Sequence, residues 1–248
     1  MPQAGAIEKA VDVLFHLHAS PGTQGVTDVG RALGIPKSSA HRLLAALGRR
    51  GLVERDGRGR YRPGIGLVAL GLGALERDPV VAAARPVLEA EAEALGETCF
   101  LVAARAGRLV VLDKVEGTGF LRAAPRIGQE VPVHATAVGK LFLAFGGAPA
   151  ALPAGRLERF TEQTRVDARA LAREVERARR RGFAENREEW IPGLCVLAAP
   201  VAAGGRLRGA IAVAAPAARM AGLDPALVAK RVIRAAAKAS ERLSGGVP

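Results

Sequence analysis

Two short helical patterns joined by a glycine turn, between Thr27 and Leu47, constrain the fold of this chain more than any other feature. Thr27 suits a helix N-cap, and Gly34 suits a left-handed position at the end of that helix. A second helix is expected to start at Pro36, in its first turn. Its apolar, inward side is formed by Ala40, Leu43, Leu44 and Leu47. The pattern predicts a helix-turn-helix.

Further elements lie on both sides of this motif. Residues 7–18 carry apolar side chains at helical spacing and end at a Ser-Pro-Gly breaker. Residues 52–55 and 60–62 are typical of two strands joined by a tight, glycine-containing turn. Together these elements predict a winged helix-turn-helix DNA-binding domain over residues 1–63.

The polar side of the second helix of the motif is the part expected to meet DNA. In a helix-turn-helix this helix enters the major groove with its N-terminal residues at the base edges. Serine hydroxyl and backbone N–H groups at a helix N-terminus also suit phosphate, and a basic hairpin tip suits the minor groove or the DNA backbone. The predicted DNA-binding residues are Lys37, Ser38, Ser39, His41 and Arg42 on the helix, with Arg58 and Arg60 on the hairpin.

Composition and charge agree with this reading without proving it. The formal net charge is +12, which favours contact with phosphates, but an arginine-rich and alanine-rich chain is also typical of a GC-rich genome. Residues 1–62 hold ten Lys or Arg against five Asp or Glu, so the positive excess is denser there. The length of 248 residues and the 49% of hydrophobic residues predict two globular domains.

The rest of the chain predicts a linker helix over residues 64–78 and an α+β domain over residues 79–248. Short strands alternate with helices in that domain, which is the basis for its class. The predicted helices are 79–95, one opening after His134 and ending near Phe145, 167–181 and 223–243. The predicted hairpins pair 98–104 with 109–115 and 194–200 with 207–214.

Cellular location and cofactors are constrained by what the sequence lacks. No run of about 18 apolar residues is present, and the first thirty residues lack a signal-peptide pattern, so a cytoplasmic protein without membrane contact is expected. Cys99 and Cys195 are too few for a disulfide framework or a metal cage. No metal and no cofactor are predicted.

Several segments, in order, resemble one known family. Residues 27–44 and 50–55 strongly resemble the DNA-binding domain of the IclR family of bacterial regulators. Residues 131–140 and 182–201 resemble the signatures of that family's effector domain. The resemblance covers most of the chain, and it rests on several motifs across both predicted domains.

The resemblance carries expectations about fold, partners and function. It implies a GAF-like effector-binding domain with a central antiparallel sheet, and assembly as a dimer or a dimer of dimers on palindromic double-stranded DNA. It also implies a regulator, more commonly a repressor, whose operator binding is controlled by a small organic acid or an aromatic metabolite. The effector-binding residues that it places are Ala137, Val138, Asn186, Val196, Ala212 and Ala214.

This chain departs from the family pattern within that predicted site. Family members often have Asp where this chain has Asn186, Cys where it has Val196, and hydroxyl residues where it has Ala212 and Ala214. Cys195 lies one position too early to take over the cysteine's role. Apolar replacements of polar lining residues favour a larger or more apolar ligand than a small hydrophilic acid.

The sequence also offers features of two other classes of function. The alternative is a small-molecule enzyme with an accessory DNA-binding domain, using Cys99 or Cys195 with His134 as a thiol nucleophile, but nothing local marks either thiol as activated. The side chains of the adjacent Glu188 and Glu189 diverge, so they make a poor acid–base pair. Residues 64–69 match the dinucleotide-binding fingerprint by letter, but no βαβ unit surrounds them. The prediction is therefore a protein that is not an enzyme.

The remaining alternative is a purely architectural DNA-binding protein. The size of residues 79–248 argues against it, because that segment is long enough for a separate ligand-binding domain. The basic run over residues 177–181 is most simply the exposed side of an amphipathic helix. His134 is most simply a structural residue at the start of its helix.

Overall fold

A computed structural model describes residues 5–119, 125–146 and 156–246 of the chain. The chain divides into two compact units, Met1–Leu75 and Glu76–Pro248. The finer division at residues 63 and 78, with a separate linker, stays a prediction, and residues 1–4 and 247–248 of the predicted domains lie outside the described part. The predicted α+β class is confirmed: a helix-turn-helix unit precedes a unit built on an antiparallel sheet.

The first unit consists of helices and one short hairpin. Its elements are α1 (Ala6–Ala19), α2 (Val26–Ala32), α3 (Lys37–Arg49), β1 (Val53–Arg55), β2 (Tyr61–Pro63) and α4 (Ile65–Glu76). The two strands pair antiparallel, with Val53 opposite Pro63 and Arg55 opposite Tyr61. A core of aliphatic side chains and one tyrosine joins the hairpin to the three helices before it: Val13, Leu17, Val29, Ala40, Leu44, Leu47, Val53 and Tyr61.

The helix-turn-helix starts differently from the sequence prediction. The N-cap of α2 is Gly25, whose N–H donates to Asp28 Oδ2 at 3.1 Å, so Thr27 lies inside the helix and its prediction as N-cap is wrong. An acidic residue three positions into the helix reaches back to the cap N–H and decides where the helix begins. Pro36 likewise stands just before α3 rather than in its first turn. The left-handed position of Gly34 is confirmed, at φ +63°.

A glycine inside α2 marks the closest approach within the motif. A Cβ on Gly30 would lie 3.0 Å from the carbonyl oxygen of Ile35 and 3.8 Å from the Cβ of Ala40. Glycine usually weakens a helix by about 1 kcal/mol relative to Ala. Here it lets the turn and α3 pack directly on α2, which fixes the direction of α3.

The second unit is a five-stranded sheet with helices on both faces. Its elements are α5 (Pro79–Leu95), β3 (Thr98–Arg105), β4 (Arg108–Val115), α6 (Ala137–Phe145), α7 (Ala168–Arg181), β5 (Ala184–Arg187), β6 (Leu194–Ala203), β7 (Arg206–Pro216), α8 (Ala217–Gly222) and α9 (Pro225–Ser244). All strand pairs are antiparallel, in the spatial order β4-β3-β7-β6-β5. The sequence did not predict β5 or α8.

Side chains alternate between the two faces of this sheet. On one face, α6 packs against β6 and β7 over a core that includes Phe100, Val102 and Val196. On the other face, α5 and α9 pack against each other and against the sheet. Alanines are frequent in the central strands, at 198, 199, 210, 212, 214 and 215, and all of them are buried. Their small side chains let helices approach both faces closely.

The start of α6 is held against the preceding segment. Thr136 caps the helix, because its Oγ1 accepts from Gly139 N–H at 3.0 Å and donates to the carbonyl oxygen of Pro132 at 2.7 Å. A Cβ on Gly139 would lie 1.8 Å from the carbonyl oxygen of Val133. Only glycine fits this approach, which places Ala137 and Val138 next to the sheet.

Replacing Gly139 should test this packing. We expect Gly139→Ala to lower the free energy of unfolding by about 2–3 kcal/mol, because the added methyl group has no space beside Val133. Gly71→Ala in α4 is the matched control: apart from its own stretch of helix, no atom of the described residues lies within 4 Å of its Cβ position, so we expect a gain of roughly 0.5–1 kcal/mol. Urea unfolding followed by far-UV circular dichroism measures both changes. Equal stability of the two variants would contradict the proposed close approach.

Candidate DNA-contact face and ligand cavity

The structure brings the five predicted helix residues together on the first two turns of α3. Lys37, Ser38, His41 and Arg42 are exposed, and Ser39 is half-buried. The Arg42 guanidinium lies 3.5 Å from Ser39 Oγ. The opposite side of the same turns holds the buried Ala40 and Leu44. The helix therefore presents a polar surface with two permanently charged side chains, Lys37 and Arg42, and a histidine.

The turn of the hairpin is organised by one carboxylate. Asp56 Oδ1 accepts hydrogen bonds from the backbone N–H groups of Arg58, at 2.9 Å, and Arg60, at 2.8 Å. The bond from Arg60 lowers the pKa of Asp56 below its usual value. A carboxylate that stays ionised keeps the turn closed at neutral pH.

The two predicted hairpin arginines differ in their surroundings. Arg60 is half-buried at the base of the hairpin: its Nη2 donates to the carbonyl oxygen of Thr23 at 2.7 Å and lies 3.5 Å from Asp28 Oδ2. Arg58 is exposed at the tip, and the described residues give its guanidinium no hydrogen bond, ion pair or aromatic partner. Arg62 pairs with Glu54, and Arg55 lies over the ring of Tyr61. Arg58 is thus the hairpin arginine that is available to a partner.

A cavity of about 400 Å³ lies in the second unit, between the sheet and α6. Five of the six predicted effector residues line it: Ala137, Val138, Asn186, Val196 and Ala214. Asn186, Val196 and Ala214 are neighbours in one row across β5, β6 and β7. Ala212 belongs to the next row, opposite Phe100 and Ala198, and is fully buried in the core. It is not among the described residues that line the cavity.

The cavity wall also includes residues that the sequence did not predict. The apolar part comes from large side chains, namely Phe100, Val102, Val131, Trp190 and Leu194. Arg126 and Gln129 add polar groups from the segment after β4. Trp190, the only tryptophan of the chain, stands four residues after Asn186. Its closeness in sequence to a predicted effector residue could have indicated that it lines the site. No sequence signal pointed to Arg126, because its place depends on residues 128–131 hydrogen-bonding back to β4.

Most polar groups of the cavity wall already have partners. Asn186 is 2% exposed; its Nδ2 donates to the carbonyl oxygen of Ala135 at 2.9 Å, and its Oδ1 accepts from Glu189 N–H at 2.8 Å. Thr136 Oγ1 is used in the cap of α6. For the exposed Arg126 guanidinium, the described part of the chain provides neither a hydrogen bond nor an ion pair. Arg126 is thus the cation that this wall offers to a ligand.

His134, the two adjacent glutamates and the basic run of α7 all have structural partners. His134 Nε2 lies 2.8 Å from the carbonyl oxygen of Glu158, and its ring stacks on Phe160. Glu188 and Glu189 diverge: Glu188 accepts from Gly193 N–H, whereas Glu189 pairs with the buried Lys140. The basic run of α7 is exposed and pairs with nearby glutamates.

Both cysteines are buried thiols. Burial raises the pKa of Cys99 to about 12, and burial also raises the pKa of Cys195. A thiol must ionise to act as a nucleophile, so neither has the electrostatic surroundings of a catalytic cysteine.

Across residues 5–119, 125–146 and 156–246, no group of three His, Cys, Asp or Glu could hold a metal ion. No helix in these same ranges is long and apolar enough to cross a membrane.

A helix-turn-helix with a basic helix face, in one chain with a sheet unit that contains a ligand-sized cavity, defines the class of DNA-binding transcriptional regulators. Comparisons with known proteins make the class specific. Residues 72–241 match the model of the bacterial transcriptional regulator IclR C-terminal domain, and residues 6–57 match that of the IclR helix-turn-helix domain. The chain belongs to the IclR family, as the sequence predicted.

Individual relatives agree with this assignment. The chain is 31% identical over 240 residues, which are 95% of this chain and 86% of the relative, to the HTH-type transcriptional regulator BhcR of Paracoccus denitrificans. It is 28% identical to the HTH-type transcriptional repressor AllR of Escherichia coli strain K12, over 88% of this chain and 82% of that one.

Solved structures share the fold. The Thermotoga maritima IclR structure has a TM-score of 0.80 at 26% identity, covering 96% of this chain and 98% of that chain. An IclR homolog from Microbacterium hydrocarbonoxydans was solved as a complex with 4-hydroxybenzoate. It has a TM-score of 0.87 at 22% identity, covering 98% of this chain and 100% of that chain. At that identity the likeness concerns the fold alone.

Thiol reactivity should report the surroundings of the two cysteines. We expect Ellman's reagent at pH 8 to modify neither thiol rapidly in the native protein, because burial keeps both protonated and shielded. In urea both should react, giving two equivalents per chain. Rapid modification of one thiol in the native protein would show an activated thiolate and would reopen the enzyme alternative.

Proposed function

We propose that this IclR-family regulator is a repressor whose binding to a palindromic operator is controlled by a small organic acid or an aromatic metabolite. The observation that carries the proposal is the cavity beside α6, whose described wall is largely apolar and includes Arg126, a cation to which the described residues give no partner. Its volume, about 400 Å³, lies within the usual range for small-molecule sites. A relative named as a repressor and a structural neighbour that binds 4-hydroxybenzoate support the same role.

DNA contact is assigned to the exposed side of α3 and to the tip of the hairpin. Lys37, Ser38, Ser39, His41 and Arg42 lie at the helix end that would enter the major groove. Arg58 suits a phosphate contact, since its side chain is exposed. Arg60 is proposed to act mainly by holding the hairpin against Thr23, and to touch DNA only from that position.

Self-association is proposed through the apolar surface of the first unit. Seven large apolar side chains are exposed on two helices: Ile7, Val11 and Phe15 on α1, and Ile65, Val68, Leu70 and Leu72 on α4. Several large exposed apolar side chains on one helix face water unfavourably, and such surface usually marks an interface. A two-fold dimer would present two copies of α3 to the two halves of a palindrome. This role also favours a cytoplasmic protein that is not an enzyme.

The two proposed kinds of DNA contact have different signatures. We expect Arg42→Ala to weaken operator binding by about 1–3 kcal/mol and to reduce discrimination at one base position, as for a base contact. We expect Arg58→Ala to weaken binding to all duplexes alike, as for a phosphate contact. The slope of log K against log salt concentration should become smaller by about one. Fluorescence anisotropy with the upstream intergenic DNA and a scrambled duplex measures both.

A matched control for these variants is Arg173→Ala, which removes an exposed arginine from α7. It should bind the operator as the unchanged protein does. Unchanged binding by both Arg42→Ala and Arg58→Ala would show that the contact face has been assigned wrongly.

The proposed effector has an apolar body and a negative charge. The apolar wall accommodates an aromatic ring or an aliphatic chain, and a guanidinium binds a carboxylate through charge-assisted hydrogen bonds. Asn186 carries no charge and its amide is already bonded, so it adds no negative charge to the wall. A monocarboxylate therefore matches the cavity better than a cation.

Calorimetry can test this chemistry, with 4-hydroxybenzoate as the first ligand in a panel of monocarboxylates. We expect a carboxylate to bind and to release operator DNA, and its amide counterpart to bind about tenfold more weakly. Arg126→Gln should remove that preference, whereas Arg126→Lys should keep much of it. Equal affinity for acid and amide, or binding by no member of the panel, would contradict the proposed ligand class.

A further inference from the structure

A lysine without solvent contact lies behind the cavity wall. Lys140, in the second turn of α6, is 1% exposed, yet its neighbours along the helix are apolar. Its Nζ donates to Glu189 Oε1 at 2.6 Å and to the carbonyl oxygen of Glu185 at 2.9 Å, and it lies 4.0 Å from Glu174 Oε2. Two of the three ammonium protons are thus hydrogen-bonded, and the Glu174 carboxylate adds a nearby negative charge.

This arrangement is not explained by stability alone. Burying a lysine and a glutamate removes both from water, and the cost often cancels the attraction between them. An apolar pair of similar volume would pack into the same space at no greater cost. The Oε2 atom of Glu189 is buried and has no hydrogen-bond partner among the described residues. What the pair provides is a directional contact between α6 and the segment that carries Glu189.

That segment forms one side of the cavity. Residues 190–194 follow Glu189 directly, and all five line the cavity, beginning with Trp190. Lys140 stands two residues after Val138, which lines the cavity from α6. The ion pair thus joins the two sides of the cavity through buried side chains that do not themselves line it.

The Trp190 and Leu194 side chains pack against the core of the unit, and the threonine and asparagine side chains nearby hydrogen-bond to the backbone of the segment. Asn186 Oδ1 accepts from Glu189 N–H, Thr164 Oγ1 donates to the carbonyl oxygen of Glu189 at 2.7 Å, and Thr161 Oγ1 donates to that of Glu188 at 2.7 Å. The ion pair with Lys140 is the charged contact to α6 from this segment, and it fixes the side chain next to Trp190.

We infer that the Lys140–Glu189 ion pair is a latch that sets the position of the Trp190 wall relative to α6. Lys140 is a positioning residue: it reaches a ligand only through Glu189 and the wall that follows. The distance between α6 and this wall decides which ligands fit, so the latch determines the width of the site. The inference rests on the proposed function only in treating the cavity as the effector site.

The single tryptophan makes the latch measurable without any ligand. Acrylamide quenching of Trp190 fluorescence reports how far the wall opens, and far-UV circular dichroism shows that each variant is folded. The variants are Lys140→Met and the double variant Lys140→Met/Glu189→Met, which removes both charges while keeping the volume. The matched control is Arg108→Met on β4, which breaks the exposed ion pair of Arg108 with Glu130.

We expect Lys140→Met to raise the quenching constant roughly twofold or more, because local opening exposes the wall. The double variant should regain thermal stability, since no unpaired charge stays buried. Its Trp190 should remain more exposed than in the unchanged protein, and Arg108→Met should quench normally. If Lys140→Met fails to fold, the double variant alone carries the test.

Two results would overturn the inference. One is normal quenching in Lys140→Met. The other is quenching that returns to normal in the double variant, which would show that the two buried charges only neutralise each other and do not position the wall. Neither depends on finding an effector. Failure of the ligand panel therefore remains a separate result about the proposed function.

Discussion

The second unit depends on the pairing of β3 with β7, two strands far apart in the sequence. Phe100 lies opposite Ala212 and Val102 opposite Ala210, which places the first hairpin of the unit beside the last. Without this pairing the sheet would separate into the hairpin β4-β3 and the three-stranded piece β7-β6-β5, each with unpaired edges. With it, Phe100 and Val102 come to the same side of the sheet as Val196 and Ala214, and a cavity can form between them and α6.

The first unit separates support from contact in a similar way. Asp56 and Arg60 use their side chains to close the hairpin and to attach it to Thr23, so they fix its position. Arg58 is left at the tip with its guanidinium exposed. A phosphate contact is most effective from a rigid support, because little conformational freedom is then lost on binding. Two arginines close in sequence can therefore serve different purposes.

The sequence predicted the parts of the fold that local signals determine. The helix-turn-helix, the hairpins around Gly107 and Gly204, and the long helices follow from apolar spacing and glycine turns, which act over a few residues. β5 was missed because Ala184–Arg187 is a short polar edge strand, stabilised mainly by pairing with β6. The start of α2 was misplaced because Thr27 and Asp28 are both plausible capping residues.

The candidate site was predictable only where a motif covers it. Five residues that the family resemblance placed in the effector site do line the cavity, whereas Ala212 lies one row deeper in the sheet. Arg126 and the burial of Lys140 depend on which segments meet in space, and a lysine in a helix is ordinarily read as exposed. Local patterns therefore give the scaffold of the site, and tertiary contacts give its charge.

The charge of the cavity follows from one departure from the family pattern. Asn186 donates through its amide nitrogen to the carbonyl oxygen of Ala135, a bond that an ionised aspartate has no proton to make. The asparagine therefore joins β5 to the start of α6 and leaves the wall uncharged at that point. Lys140 is neutralised by Glu189 behind the wall, so Arg126 supplies the positive charge that a ligand meets. Among the described residues that line the cavity, Arg126 is the charged one, and this is the basis for proposing an anionic ligand.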